Sequence, residues 1–257
     1  MKTDLLIGGE WVDGSEGDRI DVLNPATGEV IADVAAGTPA DATRAVDVAA
    51  AAQASWAATA PRVRSEILRN CWQAMVDNTE ELARLIVTEH GKPMADATGE
   101  IAYAAEFFRW NAEETVRIHG SLGHAPSGDK RIIVHHPPVG VVVMVTPWNF
   151  PAAMITRKLA PALGAGNAVV IKPPRETPLT ALRVAELCEE AGVPPGLINV
   201  VATTSSGAWF DAAVAHRATR MVSFTGSTEV GRVLLRDRKS TRLNSSHSSV
   251  SRMPSSA

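Results

Sequence analysis

Cysteine, aromatic residues and excess positive charge are all scarce in this chain of 257 residues. Its two cysteines, Cys71 and Cys188, lie far apart inside helix-like patterns. That placement builds no disulfide framework and offers no metal-ligand spacing, so a reducing cytosol and no resident metal are expected. Lysine and arginine total 25 against 28 acids, a formal charge of −3. Nothing in that balance favours a phosphate backbone over a small molecule, and nucleic acid is not an expected partner. No apolar run approaches the ~20 residues needed to cross a bilayer, and Gly8-Gly9 interrupts the N-terminus before a signal-peptide core forms. Neither export nor a membrane anchor is expected. Glycine (19) and proline (16) are at ordinary levels without a period, which excludes a collagen-like chain. What is plentiful is valine, isoleucine, leucine and alanine, within a hydrophobic fraction of 45%. That content excludes disorder for most of the chain and implies a globular α/β protein of about one to two domains.

Composition changes after Asp237. Four positive residues and no acid follow it, so residues 1–237 carry −7 where the whole chain carries −3. The last 20 residues hold 8 serines against 9 in the preceding 237, without apolar periodicity. Residues 238–257 are therefore expected to be a disordered, non-native tail joined where a helix is under way.

From the N-terminus, LLIGGEWV and IDVLNPATGEVIADV read as hairpin strands around turns. Helical spacing follows over Pro39–Trp56, Pro61–Asn78, Thr79–His90 and Met94–Ile118. These hairpins and helices occupy 1–125. A bridging segment, 126–138, carries an edge strand over Arg131–His136 closed by two prolines. From 139 to 237 the apolar runs VGVVVMV, AVVI, LINVV and MVSF alternate with helices. Four β/α repeats predict a doubly wound parallel sheet with ligands beyond the strand C-termini.

Three of those strand ends carry chemistry. The first ends in Thr146-Pro147-Trp148-Asn149-Phe150-Pro151, where Asn149 either caps the next helix or donates from its amide to a developing oxyanion. The second ends in IKPPRETP, and Lys172 and Arg175 either meet a phosphate or ribose or are solvated loop charges. The fourth ends in FTGSTEVG, whose Gly226-Ser227 turn opens a helix able to accept a pyrophosphate, with Ser227 as a plain cap the alternative.

In that order, TPWNFP, IKPPRETP and FTGSTEVG resemble the coenzyme-binding half of the aldehyde dehydrogenase superfamily, over nearly all of residues 1–237. AEFFRW (105–110) and PAAMITRK (151–158) are most similar to its succinate-semialdehyde branch. The resemblance implies NAD(P)-dependent oxidation of an aldehyde to an acid, with succinate semialdehyde as the expected small-molecule substrate. Asn149 would serve the oxyanion, and Arg157 would grip the substrate's far carboxylate unless it is a helix-surface arginine. Thr146, Pro147, Trp148, Lys172, Arg175, Gly226, Ser227 and Gly231 would hold the coenzyme. With Asn149 and Arg157 about two helical turns apart, both are expected to face one crevice. Relatives assemble through a segment like Arg131–His136, so a homo-oligomer is implied for the full-length enzyme.

Two departures matter. Relatives that use NAD often have a glutamate where Arg175 stands; a guanidinium there favours the 2′-phosphate of NADP, unless Glu176 takes the vacant role for NAD. The family's nucleophilic cysteine and general-base glutamate belong to a catalytic domain C-terminal to FTGST that this chain lacks. Neither Cys71 nor Cys188 fits the nucleophile's place. The chain alone is therefore expected to be inactive, with an apolar sheet edge exposed after its fourth strand. The alternatives are a non-catalytic dinucleotide-binding module and a dehydrogenase for another aldehyde.

Overall fold

Describing residues 1–235 and 242–245, the computed structural model opens on two hairpins. In the first, β1 (Leu5–Ile7) and β2 (Glu10–Val12) flank Gly8 and Gly9, at φ 74° and 84°. A two-residue turn matching the strand twist needs positive φ at both positions, which glycine adopts without strain. The second pairs β3 (Arg19–Leu23) with β4 (Val30–Ala35). Four helices follow: α1 (Pro39–Ala58), α2 (Pro61–Asp77), α3 (Thr79–His90) and α4 (Met94–Thr115). Helix α1 starts on a capping box in which Thr38 Oγ1 accepts from the Asp41 N–H while Asp41 accepts from the Thr38 N–H.

The segment after α4 holds a strand that the sequence reading did not include. β5 (Ser121–His124) pairs antiparallel with β6 (Arg131–Val134), and every residue of both is exposed. β6 is the expected edge strand, two residues shorter at its C-terminal end.

The alternating half follows the predicted order: β7 (Val141–Val145), α5 (Ala153–Gly164), β8 (Ala168–Lys172), α6 (Pro178–Glu190), β9 (Ile198–Val200), α7 (Ser206–Ala215), β10 (Thr219–Phe224) and α8 (Thr228–Leu235). β8 is buried at all five positions, as a strand covered on both faces must be. Helices α5 and α6 cover one face, backed by α2, α3 and α4; α1 and α7 cover the other.

Two findings extend the expected sheet. Its order is β11-β10-β7-β8-β9-β1-β2, so the first hairpin closes the far edge, with β1 antiparallel to β9. At the other edge β11 (Arg242–Ser245) runs parallel to β10, Met221 opposite Arg242 and Phe224 opposite Ser245. This corrects the expectations of disorder at those four residues and of a bare edge at β10. The unpaired N–H and C=O row of a sheet edge can pair with backbone of any side-chain pattern, so the missing apolar periodicity gave no sign of it. The rest of that segment, 238–241 and 246–257, lies outside the described residues.

The helical and alternating regions interlock. Four carbonyls at the end of α5 have no partner within the helix. Trp56 Nε1 donates to Leu163 O (2.9 Å), Arg64 Nε to Gly164 O (3.2 Å) and, just beyond the helix, Gln53 Nε2 to Gly166 O (2.9 Å).

Candidate functional site

The strand order reverses at β7. The chain runs β7, β8, β9 outward in one direction, then returns to lay β10 on the other side of β7. The loop leaving β7 leads into α5, and the neighbouring loop leaving β10 leads into α8. Open α/β sheets place their ligand crevice at such a switch point. Here it holds a cleft of about 250 Å³.

Seven of the eight residues expected to hold a coenzyme line it: Thr146, Pro147 and Trp148 from the β7 loop, Lys172 and Arg175 from the β8 loop, Gly226 and Ser227 from the β10 loop. The Thr146 hydroxyl is buried and has no hydrogen-bond partner among the described residues. Lys172 is 8% exposed, and its Nζ donates to Pro173 O at 3.2 Å. Burial holds its pKa below the usual lysine value, with Glu176 opposing and Arg175 adding to the shift. Arg175 and Glu176 are both exposed at the rim. A Cβ on Gly226 would stand 2.6 Å from Phe224 Cζ, so any side chain there would displace the Phe224 ring. Ser227 is the helix cap, its Oγ accepting from the Val230 N–H at 3.3 Å. Gly231 is outside the lining; its N–H donates to Ser227 O at 3.0 Å and its missing side chain admits Phe224. Ser206, at the start of α7, also lines the cleft, and no sequence signal marked it.

Asn149 and Arg157 lie elsewhere. Helix α5 has Ala152 as its N-cap residue and no side-chain cap, so Asn149 does not cap it. The Asn149 carbonyl accepts from Lys92 Nζ at 3.2 Å, while its exposed side-chain amide has no hydrogen bond among the described residues. Arg157 lines a second cleft of about 430 Å³ between α5 and the β7–β10 face, with Met144, Lys158 and Ser223. Its guanidinium stands 5.7 Å from the Phe107 ring centroid, and Nη1 is 3.9 Å from Met154 Sδ. The two residues therefore do not share the switch-point cleft. Spacing along one helix assumed a continuous screw, but α5 begins four residues after Asn149.

Lys158, missed by the sequence reading, is buried beside Arg157 and donates from Nζ to Ser223 Oγ at 3.0 Å. Burial, aided by Arg157, lowers its pKa to about 8 from 10.5. The charged form therefore weakens the fold at pH 7, and the penalty fades as pH rises from 8 to 10.5. It amounts to about 3 kcal/mol, against about 1 kcal/mol for the Ser223 bond. Lys158→Met should stabilise the chain by about 2 kcal/mol at pH 7, with the gain nearly gone by pH 10. Urea titrations at both pH values check this; a loss of stability at pH 7 contradicts it.

Cys71 on α2 and Cys188 on α6 are both free and buried. A hydrogen bond to Cys71, which favours the protonated thiol, and burial raise the Cys188 thiol pKa, which suppresses the thiolate. Among the described residues no group of three or more His, Cys, Asp or Glu could hold a metal ion, and no helix is long and apolar enough to cross a membrane.

The chain is 49% identical over 239 residues to glutarate-semialdehyde dehydrogenase of Pseudomonas putida, covering 92% of this chain and 49% of that protein. To the NADP+ succinate-semialdehyde dehydrogenase of Escherichia coli it is 49% identical over 236 residues, covering 91% and 48%. The crystal structure of an E. coli NADP-dependent enzyme superposes with TM-score 0.89 at 46% identity, over 91% of this chain and 48% of that one. Betaine aldehyde dehydrogenase of Staphylococcus aureus, in complex with NAD+, gives TM-score 0.91 at 32% identity, over 95% and 50%. The chain thus spans about half the length of the relatives it matches. The model of the aldehyde dehydrogenase family matches residues 11–248, and the chain belongs to that family.

Proposed function

We propose that this chain is the dinucleotide-binding half of an NAD(P)-dependent aldehyde dehydrogenase acting on aldehydes with an acid tail, succinate semialdehyde foremost. One observation carries the reading: three separate strand ends deliver Thr146, Lys172, Arg175 and the glycine turn at Gly226 to a single cleft at the switch point. The residues suit a dinucleotide. A glycine turn opening α8 presents backbone N–H groups to a pyrophosphate. Lys172 supplies a cation for the ribose end, and the unpartnered Thr146 hydroxyl awaits a polar ligand atom. When bound, the coenzyme's nicotinamide takes up the hydride by which an aldehyde becomes an acid. Asn149 donates from its amide to the aldehyde oxygen as negative charge develops there. Arg157 pairs with the far carboxylate. The glutarate- and succinate-semialdehyde names of the relatives fit that pairing, since both substrates end in a carboxylate.

NADP is the preferred coenzyme in this reading, because Arg175 at the rim can pair with a 2′-phosphate where a carboxylate would repel it. NADPH should quench the tryptophan fluorescence of the chain saturably. Arg175→Glu should weaken NADPH by about tenfold or more, the worth of one charge-assisted contact, and leave NADH the tighter ligand. Unsaturable quenching by either nucleotide counts against the reading. With both cysteines buried and the thiolate suppressed at Cys188, the chain alone should turn over no succinate semialdehyde. The full-length enzyme works as a homo-oligomer joined through the exposed β5–β6 hairpin, in a cytosol that keeps both thiols reduced.

A further inference from the structure

The corner between α3 and α4 stands behind the β7 loop of the cleft. Lys92 and Glu100 form an ion pair there, their side chains 10% and 0% exposed. Lys92 Nζ also donates to Asn149 O and lies 4.0 Å from the Phe150 ring centroid. Glu100 Oε1 accepts from the N–H groups of Ala152 (2.9 Å) and Ala153 (3.3 Å). The peptide from Asn149 to Ala153 is thus fixed by two side chains 52 and more residues away in sequence. Next to them, His90 packs on Trp148 with ring centroids 5.5 Å apart. First-turn N–H groups are ordinarily satisfied by a local cap or by water. A remote glutamate alone would satisfy them here. The added lysine, aimed at the Asn149 carbonyl and the Phe150 ring, is not needed for that.

We propose that Lys92, held by Glu100, is a positioning residue for Asn149: it fixes the loop through backbone and ring so that the side-chain amide, free of intramolecular bonds among the described residues, stays presented to a ligand. The inference rests on the reading of Asn149 as oxyanion donor. The anchor of the amide-bearing loop ahead of α5 thus comes from the α3–α4 corner.

Amide exchange measured by NMR on the intact chain tests it. In the unaltered protein, the Ala152 and Ala153 amides should exchange at least about tenfold more slowly than those of Arg62 and Val63, which open α2 without a side-chain cap. Lys92→Met should speed Ala152 and Ala153 about tenfold and shift the Asn149 side-chain resonances, with Val143 in β7 changed by less than about twofold. Lys92→Arg should restore the original pattern. Should Lys92→Met fail to fold, Lys92→Gln is judged by the same criteria. Acceleration spread evenly over the chain would reduce Lys92 to a general stabiliser, and unchanged Ala152 and Ala153 rates would remove its role altogether. Exchange rates do not depend on what Asn149 does to a substrate, so the positioning inference and the functional reading fail separately.

Discussion

Glu100→Ala should cost the chain about 3–5 kcal/mol and lower its melting temperature by about 10 °C or more. Two losses combine. The Lys92 ammonium, 10% exposed, is left as a buried charge without its counter-ion, the costliest way to break an ion pair. The N–H groups of Ala152 and Ala153 lose their acceptor in a place that water does not reach freely, each at about 1 kcal/mol or more. Glu100→Gln keeps one oxygen for those amides and removes only the charge, so it should fall between wild type and alanine. Thermal melts of the three proteins rank them. A Glu100→Ala loss below about 1 kcal/mol would mean that the pair contributes no more than an exposed one does.

A second large effect depends on pH. Burial pushes Glu89 up from 4.5 to about 7, against the opposing pull of its donors. Those are the Leu179 N–H to Oε2 at 2.8 Å, the Thr180 N–H to Oε1 at 2.9 Å and the Thr180 hydroxyl. A carboxyl whose pKa folding raises lends stability that is fully present below its unfolded value of 4.5 and lost as pH climbs through 7. Over that window the change is about 3 kcal/mol. Glu89→Gln does not titrate, so the stability of wild type relative to this variant should fall by about that amount between pH 4.5 and pH 8. Urea titrations at the two pH values measure it. Parallel profiles would show that the donors at the start of α6 offset burial completely.

Both glutamates mark the limit of what the sequence disclosed. The α1–α4 boundaries were legible to within a few residues because apolar spacing, proline at helix starts and glycine at an end are local signals. The β/α repeats were equally plain, since a fully buried strand has to be a continuous apolar run. Within the cleft, seven residues were found because each stands at the C-terminal end of a strand, where the parallel sheet dictates that ligands lie. Glu89 and Glu100 had no such signature. On a helix a buried carboxylate is written in the same letter as a solvated one, and only the partners, 90 and 52 residues on, tell them apart. Thr177 shows the converse. It reads as the cap of α6, yet its hydroxyl is buried without a partner among the described residues, because Glu89 has taken the N–H groups it would have served. β5 was missed because its residues, Ser121-Leu122-Gly123-His124, are all exposed and carry no alternation.

The position of β1 sets the order in which this molecule can be made. Leu5, Leu6 and Ile7 leave the ribosome about 190 residues ahead of β9, yet their slot lies between β2 and β9. The slot is pinned by Asn199, which accepts from the Gly8 N–H across 191 residues and donates to Val169 O and Gly196 O. Until residue 200 has emerged, the first hairpin lacks the strand that joins it to the sheet, and its three apolar side chains cannot be fully buried. At ~5–20 residues per second that delay is roughly 10–40 s. Seating β1 against β9 is then a late step of assembly, made by a strand synthesised long before the partner it pairs with.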